Sequence, residues 1–421
     1  MFKLKNIKSI LYSLVGNIIA WYEYTLYACF ATIISDLFFP SIDRYLATLL
    51  TFVIFAIGLI ARPIGGIVFG HLSDRYGRKK ILVLTTAFMS VATLGIGILP
   101  TYNEIGMLAP CFLIVLRIAQ EFTLGGEFGI SCVYLYESVD TDRRGFLGCI
   151  AVTGVGVGFI LSTCTVLVIE MFVSPNMMRI FAWRIPFFIS LIGILVSIRM
   201  NRELTETNDF VSEQKTTKAH PFVEMIKCHK LTLFRLFAMY ITTQTAFFVV
   251  FIFGKTMLVR FLNYSNSKAS LFNLIAIVSY TLSTLLFGYL SDTINKRYAI
   301  ILGSLGILLF SYPFIASFKI GMPSLILFLS VMMGIFIGMT VALGPLTSES
   351  FPISIRTTGV AFSCNFTAVV FGGTSPVMTI YLINRYNSVT AVAYYLMATC
   401  IVTMVVTISY FISWGRVGSH N

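Results

Sequence analysis

Charged residues are scarce in this sequence. Only 11% of its 421 residues are Asp, Glu, Lys or Arg, and 57% are hydrophobic, whereas a soluble domain carries roughly 25% charged residues. The chain is therefore predicted to be an integral membrane protein. Its 30 Lys and Arg exceed its 18 Asp and Glu, which in a soluble protein would favour nucleic-acid binding. Here the charges lie in short loops between apolar spans, so they indicate membrane topology and no nucleic-acid partner.

Residue groups that could hold a metal or perform catalysis are also few. The four histidines are isolated and form no HExxH, and the eight cysteines are scattered through apolar spans without a CxxC. We therefore expect no metal, no cofactor and no enzymatic activity. An integral membrane enzyme would need a nucleophile, metal or cofactor cluster near an interface, and the sequence shows none.

Apolar stretches of about 20 residues, long enough to cross a bilayer, occur twelve times. The fold class predicted is an all-α membrane protein with two pseudo-symmetric six-helix bundles. The expected domains are 1–199, a cytoplasmic linker 200–231, and 232–421. The predicted spans are 11–34, 45–69, 81–100, 107–134, 146–172, 183–199, 233–254, 268–290, 298–318, 323–347, 357–382 and 390–414.

The distribution of basic residues predicts the orientation. If the N-terminus is cytoplasmic, nineteen of the thirty Lys and Arg lie on the cytoplasmic side and seven on the opposite side. The positive-inside rule therefore places both termini in the cytoplasm. The apolar run after the first lysines continues to about Ile34, too long for a cleaved signal peptide, and is read as an uncleaved first span.

A short basic loop between the second and third spans occurs twice. Its sequence is GHLSDRYGRKK from Gly70 to Lys80, and GYLSDTINKR from Gly288 repeats its Gly-x-Leu-Ser-Asp and a basic pair. Asp74 could accept hydrogen bonds from a helix N-terminus or an arginine, and the basic residues could neutralise Glu137 or anionic lipid headgroups. We interpret the loop as a cytoplasmic gate element, and the second copy as weaker.

Charged groups lie inside the first and fourth predicted spans, where a charge costs about 2.5 to 3.5 kcal/mol on insertion scales. Glu23 lies in the first span among aromatic residues. Arg117 and Glu121 are one turn apart in the fourth span and can pair. Glu127, roughly 15 Å further along the axis than Arg117, needs another partner or a proton. Such groups suggest a proton or ion pathway, although an ion pair that only fixes helix packing is the alternative.

At this level of detail the sequence resembles the major facilitator superfamily. The loop GHLSDRYGRKK and its copy GYLSDTINKR are the stretches on which this resemblance depends. Further stretches narrow the resemblance to the metabolite:proton symporter family. They are GNIIAWYEYTLY, RIAQEFTLGGEF with YESVDTDRRG, WRIPFF, and ESFPISIRTTG with FGGTSP. That family contains proline/betaine, α-ketoglutarate and citrate carriers.

The resemblance and the charged residues inside the spans together give a set of expected functional residues. The resemblance implies that Glu23 takes part in proton coupling and that Glu127 lines the central cavity. Glu127 and Glu121 are also expected to take part in proton coupling, because they are acids inside a span. Substrate contacts would come from Arg117, Glu127, Trp21 and Tyr27. The residues of the cytoplasmic gate would be Gly70, Asp74, Arg75, Gly77, Arg78, Glu137, Arg144, Asp292, Glu349 and Arg356. Gly372, Gly373 and Pro376 in the eleventh span could bend that helix beside a binding site.

The function expected is proton-coupled symport by alternating access in the bacterial inner membrane, by a monomer surrounded by lipid. A zwitterion such as proline or betaine suits a cavity with Arg117 and several acids, and an organic acid such as α-ketoglutarate or citrate is the next choice. Ala20, Glu23 and Glu121 depart from the family pattern. Two alternatives therefore stay open: a gradient-independent facilitator, and a non-transporting receptor or scaffold on the same fold.

Overall fold

The computed structural model describes residues 4–40, 44–139, 141–213 and 220–417. Within these ranges the chain is helical and contains no strand. Among the described residues, ten helical stretches are long and apolar enough to cross a membrane. Two further long helices, Leu4–Cys29 and Arg44–Tyr76, carry the first and second predicted spans. All twelve predicted spans are therefore helical.

The first half of the chain begins with α1 and ends with the helices of the connecting segment. Short 3-10 turns occur at Thr141–Arg143 and Ala182–Arg184. The α-helices are α1 Leu4–Cys29, α2 Ala31–Phe38, α3 Arg44–Tyr76, α4 Arg78–Ile98, α5 Tyr102–Ile105, α6 Leu108–Glu137, α7 Arg144–Phe172, α8 Pro175–Ile180, α9 Ile185–Phe188, α10 Ser190–Glu203, α11 Asn208–Glu213 and α12 Pro221–Cys228.

The second half has more interruptions within its long helices. Its 3-10 turns lie at Thr340–Ala342 and Ile353–Ile355. The α-helices are α13 Lys230–Phe247, α14 Gly254–Leu262, α15 Asn266–Leu290, α16 Lys296–Ile320, α17 Pro323–Met339, α18 Leu343–Glu349, α19 Arg356–Thr367, α20 Ser375–Tyr386 and α21 Ala391–Val417.

Two of these interruptions are π-helical turns, at Phe248–Phe253 between α13 and α14 and at Ala368–Gly373 between α19 and α20. The two turns are neighbours, because a Cβ added to Gly372 would lie 2.8 Å from Cδ2 of Phe248. The expected bend at Gly372 and Gly373 is therefore a widened helical turn, which is a common feature of functional sites.

The chain forms two compact units, each assembled from three segments. The N-terminal part of α7 belongs to the second unit, and the N-terminal part of α19 to the first. The first unit comprises Met1–Ser138, Val157–Pro221 and Ile353–Phe362, and the second comprises Val139–Gly156, Phe222–Pro352 and Ser363–Asn421.

Apolar side chains occupy both the inside and the outside of the first unit. On α3 the exposed side chains Ile60, Ile64 and Val68 recur every fourth residue, as expected of a face that meets lipid rather than water. One buried cluster ties the ends of α3, α4, α6 and α10 together, and its members are Phe69, Ile81, Leu82, Ile130, Tyr134, Met200 and Leu204. These ends carry most of the predicted gate residues.

Candidate functional site

Close packing of α3 against α6 determines the position of the charged residues inside the first unit. A Cβ added to Gly125 would lie 2.8 Å from the backbone carbon of Arg62, and one added to Gly65 would overlap the backbone of Phe122. Glycine at both positions therefore lets the two helix backbones touch. Arg62 on α3 is thereby brought beside Glu121 on α6.

Arg62, Arg117 and Glu121 form a buried cluster that we call the arginine trio. Arg117 pairs with Glu121, as predicted from their spacing, and Arg62 donates from Nε to the second oxygen of the same carboxylate. All three residues are at most 3% exposed. Arg117 also donates to Gln120 at 3.0 Å. Arg62 lies inside the second predicted span but was not assigned a role, because its partner lies 59 residues away along the chain.

Aromatic rings surround both guanidinium groups. Arg62 lies 4.4 Å from the ring centre of Tyr24 and 5.7 Å from that of Trp21. Arg117 lies 5.0 Å from Tyr24 and 4.7 Å from Tyr27. Trp21 and Tyr27, which were expected to bind substrate, therefore contact the trio, where cation–π attraction is strengthened by the lack of water.

Glu23 and Glu127 differ from Glu121 in having no ion pair among the described residues. Both are completely buried, and neither carboxyl group has a partner in hydrogen-bonding geometry in the described part of the chain, although the polar side chains of Ser90 and Asn17 lie near Glu23 and Glu127, respectively. Glu23 lies close to Gly193 of α10, where an added Cβ would be 3.0 Å from its Oε1. An ionised carboxylate without a partner is costly in such surroundings, so each group is suited to carry a proton.

Asp74 binds the start of α19 within the first unit. Its two carboxylate oxygens accept the backbone N–H groups of Thr357 and Thr358 at 3.1 and 2.9 Å, and the Thr358 hydroxyl donates to it at 2.7 Å. Arg78 lies 3.4 Å from the same carboxylate. A carboxylate at a helix N-terminus is favourable because the exposed N–H groups carry partial positive charge. The prediction that Asp74 binds a helix end or an arginine is confirmed.

Arg78 connects Asp74 to Glu137, and a contact of a basic residue of this loop with Glu137 was one of the two alternatives expected. Its Nε donates to Glu137 at 3.2 Å, and its Nη2 donates to the carbonyl oxygen of Ile353 at 2.7 Å. Arg356 approaches the other oxygen of Glu137 at 2.7 Å. Glu137 thus lies between two arginines in the first unit, and Arg78 is completely buried.

The segment after α10 is part of this network, a feature that the sequence did not predict. Thr207 donates to Glu137 at 2.7 Å, and Asp209 accepts from Arg356 at 3.1 Å. Phe210 lies 4.8 Å beneath the guanidinium of Arg78. Within the predicted cytoplasmic linker, Leu204, Thr207 and Phe210 are buried in the first unit, while linker residues 214–219 lie outside the described part of the chain.

Glu206 caps α4 from this segment. Its carboxylate accepts the backbone N–H groups of Arg78 and Lys79 at 3.0 and 3.2 Å. The helix has no side-chain cap of its own, because the residue before it is Gly77. Burial raises the pKa of Glu206, while the N–H groups of Thr207, Lys79 and Arg78 act in the opposite direction.

The structure explains why both residues of the predicted gate, Gly70 and Gly77, are glycine. Gly77 has φ of +107°, which side chains rarely adopt, and a Cβ there would overlap the Glu206 carboxylate. A Cβ at Gly70 would lie 2.8 Å from Cα of Thr358. Gly70 therefore allows α3 to approach the start of α19, which is the contact that Asp74 completes.

The second copy of the loop makes a similar but more exposed contact. Asp292 accepts the backbone N–H of Phe146, near the start of α7, at 3.2 Å, and the carboxylate is exposed. Glu349 pairs with Lys296 at 2.6 Å, and Arg144 donates to the carbonyl oxygen of Val139 at 3.4 Å. In the first unit, Arg75 is exposed and lies over Tyr76, apart from the network of Asp74 and Arg78.

Comparison with known proteins identifies the family to which the chain belongs. Residues 18–373 match the model of the Major Facilitator Superfamily. The chain is 31% identical to the shikimate transporter of Escherichia coli (strain K12), over 93% of this chain and 91% of that protein. It is 30% identical to a putative proline/betaine transporter of Staphylococcus aureus (strain MSSA476), over 95% and 87%.

Solved structures show the same fold at lower identity. The proton:xylose symporter XylE bound to 6-bromo-6-deoxy-D-glucose superimposes with a TM-score of 0.81 at 16% identity, covering 96% of this chain and 94% of that one. The human organic anion transporter MFSD10 gives 0.73 at 9% identity, covering 96% and 99%. The predicted two-bundle architecture is thereby confirmed. The chain is a multi-pass membrane transporter of a small molecule and belongs to the Major Facilitator Superfamily.

Proposed function

We propose that this protein is a symporter that couples uptake of a small polar metabolite to protons. The main support is the pair of buried carboxyl groups of Glu23 and Glu127, which have no hydrogen-bond partner among the described residues. A protonated carboxyl group can stay in such a site, whereas an ionised one favours water or a cation. Proton binding and release therefore provide a force that can drive a conformational change.

The network around Asp74 supports a cytoplasmic gate in the same proposal. Residues 353–362 belong to the first unit, although the segments on either side of them belong to the second. Opening toward the cytoplasm requires this segment to leave Asp74, Arg78 and Glu137. The bonds of Asp74 and Glu137 therefore stabilise the closed gate. In this proposal both termini lie on the cytoplasmic side of the membrane, as the gate does. The protein acts as a monomer in the bacterial inner membrane.

Transport in proteoliposomes tests the coupling. The purified protein is reconstituted with an acidic outside and supplied with radiolabelled proline, betaine or shikimate. The expected result is accumulation of at least one of these solutes that disappears when an ionophore collapses the proton gradient. Coupling is contradicted if accumulation continues after the ionophore is added while a pH probe in the same vesicles reports that the gradient has collapsed.

Neutral variants separate the roles of the two carboxyl groups. Glu23→Gln and Glu127→Gln should abolish gradient-driven accumulation while retaining exchange of solute across the membrane. A transporter with a permanently neutral group at this position can still change conformation, but the group carries no proton. Asp36→Asn, which alters a surface pair with Arg179, is the matched control and should retain both activities. Full accumulation by both Gln variants would argue against these residues.

A gradient-independent facilitator is the second candidate, favoured by Ala20 at a position where the family pattern has an acid. In that case wild-type protein equilibrates solute without accumulation, and the two Gln variants behave like the wild type. The same proteoliposome assay distinguishes the two candidates.

A further inference from the structure

The arginine trio has more positive than negative groups. Arg62 and Arg117 are both paired with the single carboxylate of Glu121, which leaves a formal charge of +1 on three buried residues. Nη2 of Arg62 is buried and has no hydrogen-bond partner among the described residues. Leaving such a donor without an acceptor costs about 1 to 3 kcal/mol, and more when the group is charged.

The other buried acids of the first unit are not bonded to Arg62. Glu23 and Glu127 form no ion pair with Arg62 in the described part of the chain, and their carboxyl oxygens accept no hydrogen bond from it. The trio also lies apart from the gate network, whose acids Asp74 and Glu137 are bonded to Arg78 and Arg356. An anion from solution is therefore the group that would balance Arg62.

At the guanidinium edge of Arg62, Nη2 is the group left without an acceptor in hydrogen-bonding geometry among the described residues. Tyr24 and Trp21 contact its face, while Nε is bonded to Glu121. A guanidinium group donates in its own plane, and a carboxylate is the anion whose geometry fits that planar edge. The rings also exclude water, which strengthens the attraction between the charges.

We propose that the arginine trio binds the carboxylate of the transported solute through Arg62, and that Glu121 limits the site to one negative charge. This inference rests on the proposed transport function and makes it more specific. A monocarboxylate brings the trio to neutrality. A zwitterion also carries a cation that the trio repels, and a dicarboxylate brings one charge too many. The preference for a zwitterion expected from Arg117 and the acids alone is therefore replaced by a preference for a monoanion.

Binding in the absence of any gradient tests the proposal separately from coupling. Purified protein in nanodiscs is titrated with shikimate and lactate as monocarboxylates, proline and betaine as zwitterions, and succinate as a dicarboxylate. We expect the monocarboxylates to bind at least tenfold more tightly than the others. Equal affinities, or tighter binding of the zwitterions, would overturn the assignment even if proton-coupled uptake were observed. Selective binding without accumulation would instead refute the coupling and leave the assignment in place.

Two variants identify the residues involved. Arg62→Lys retains the charge but loses the planar donor edge, so monocarboxylate affinity should fall at least tenfold, whereas Arg235→Lys in the second unit is the matched control. Glu121→Gln removes the internal carboxylate and should increase succinate affinity at least tenfold relative to monocarboxylates. If Arg62→Lys does not fold, Glu121→Gln still decides the question. Unchanged selectivity in Glu121→Gln would mean that the trio serves helix packing alone.

Discussion

Asp74 and Asp292 occupy equivalent places in the two copies of the loop, and replacing each with Asn should have very different effects. Asn offers one acceptor oxygen and one NH2 group in place of two acceptor oxygens. At Asp74 it cannot accept the N–H groups of both Thr357 and Thr358, so one buried donor loses its partner. The same change at Asp292 leaves the single N–H of Phe146 with an acceptor, in an exposed position where water can also bind.

The expected difference follows from these contacts. A buried donor without a partner costs about 1 to 3 kcal/mol, and loss of the charge at the start of α19 adds about 0.3 to 1 kcal/mol. At Asp292 only a helix-end contribution of about 0.3 to 1 kcal/mol is lost. Asp74→Asn should therefore weaken its contact by about 2 kcal/mol more than Asp292→Asn, which corresponds to roughly a 30-fold difference in local opening.

Hydrogen–deuterium exchange in nanodiscs measures this opening directly, because the bonded groups are backbone amides. Peptides covering 356–360 should exchange roughly 30-fold faster in Asp74→Asn, whereas those covering 145–148 should change only slightly in Asp292→Asn. Transport should likewise fall more in Asp74→Asn. Similar changes at the two helix starts, or none at 356–360, would refute the assignment of Asp74 as the stronger contact.

Two further predictions concern the segment beside the gate. Glu206→Gln should remove the pH dependence of the contact that caps α4. The pKa of Glu206 is raised in the folded state, so the folded state binds the proton more tightly than the unfolded state does. The stabilisation is therefore complete below the usual Glu pKa of roughly 4.3 and is lost as the pH rises through the higher pKa of the folded state. Amide exchange of Arg78 and Lys79, corrected for intrinsic rates, should become faster with pH in the wild type only, and an identical trend in Glu206→Gln would contradict this. Gly77→Ala should lower the unfolding free energy by about 1 to 3 kcal/mol through backbone strain, with an additional loss from contact with Glu206. Gly106→Ala is its control, since Gly106 has φ of +59° but open space around it, and equal denaturant midpoints of the two variants would show that the Glu206 contact is unimportant.

Local sequence patterns predicted the features that depend on neighbours along one helix or on a repeated motif. The twelve spans follow from hydropathy, and the pairing of Arg117 with Glu121 follows from a spacing of four residues. The position of Asp74 at the end of the second span indicated that it could bind a helix N-terminus or an arginine of its loop. These predictions are confirmed.

The features that were missed depend on contacts between distant parts of the chain. Arg62 pairs across 59 residues, and only the glycines of α3 and α6 hint that the two helices approach closely. Glu206 and Asp209 lie in a polar stretch whose composition is the same for a solvated linker and for a packed one. The roles assigned to Glu23, Glu127 and the gate stay predictions.

The two neighbouring π-helical turns give the second unit a property that a pair of plain α-helices would lack. A π-helical turn contains one residue more than an α-helical turn, and moving that extra residue along a helix rotates the following part by about 100°. Phe248 packs where Gly372 has no side chain, so rotation of one helix would bring Phe248 against the other backbone. The two helices would therefore have to change register together, and both could present new faces without losing their hydrogen-bonded structure.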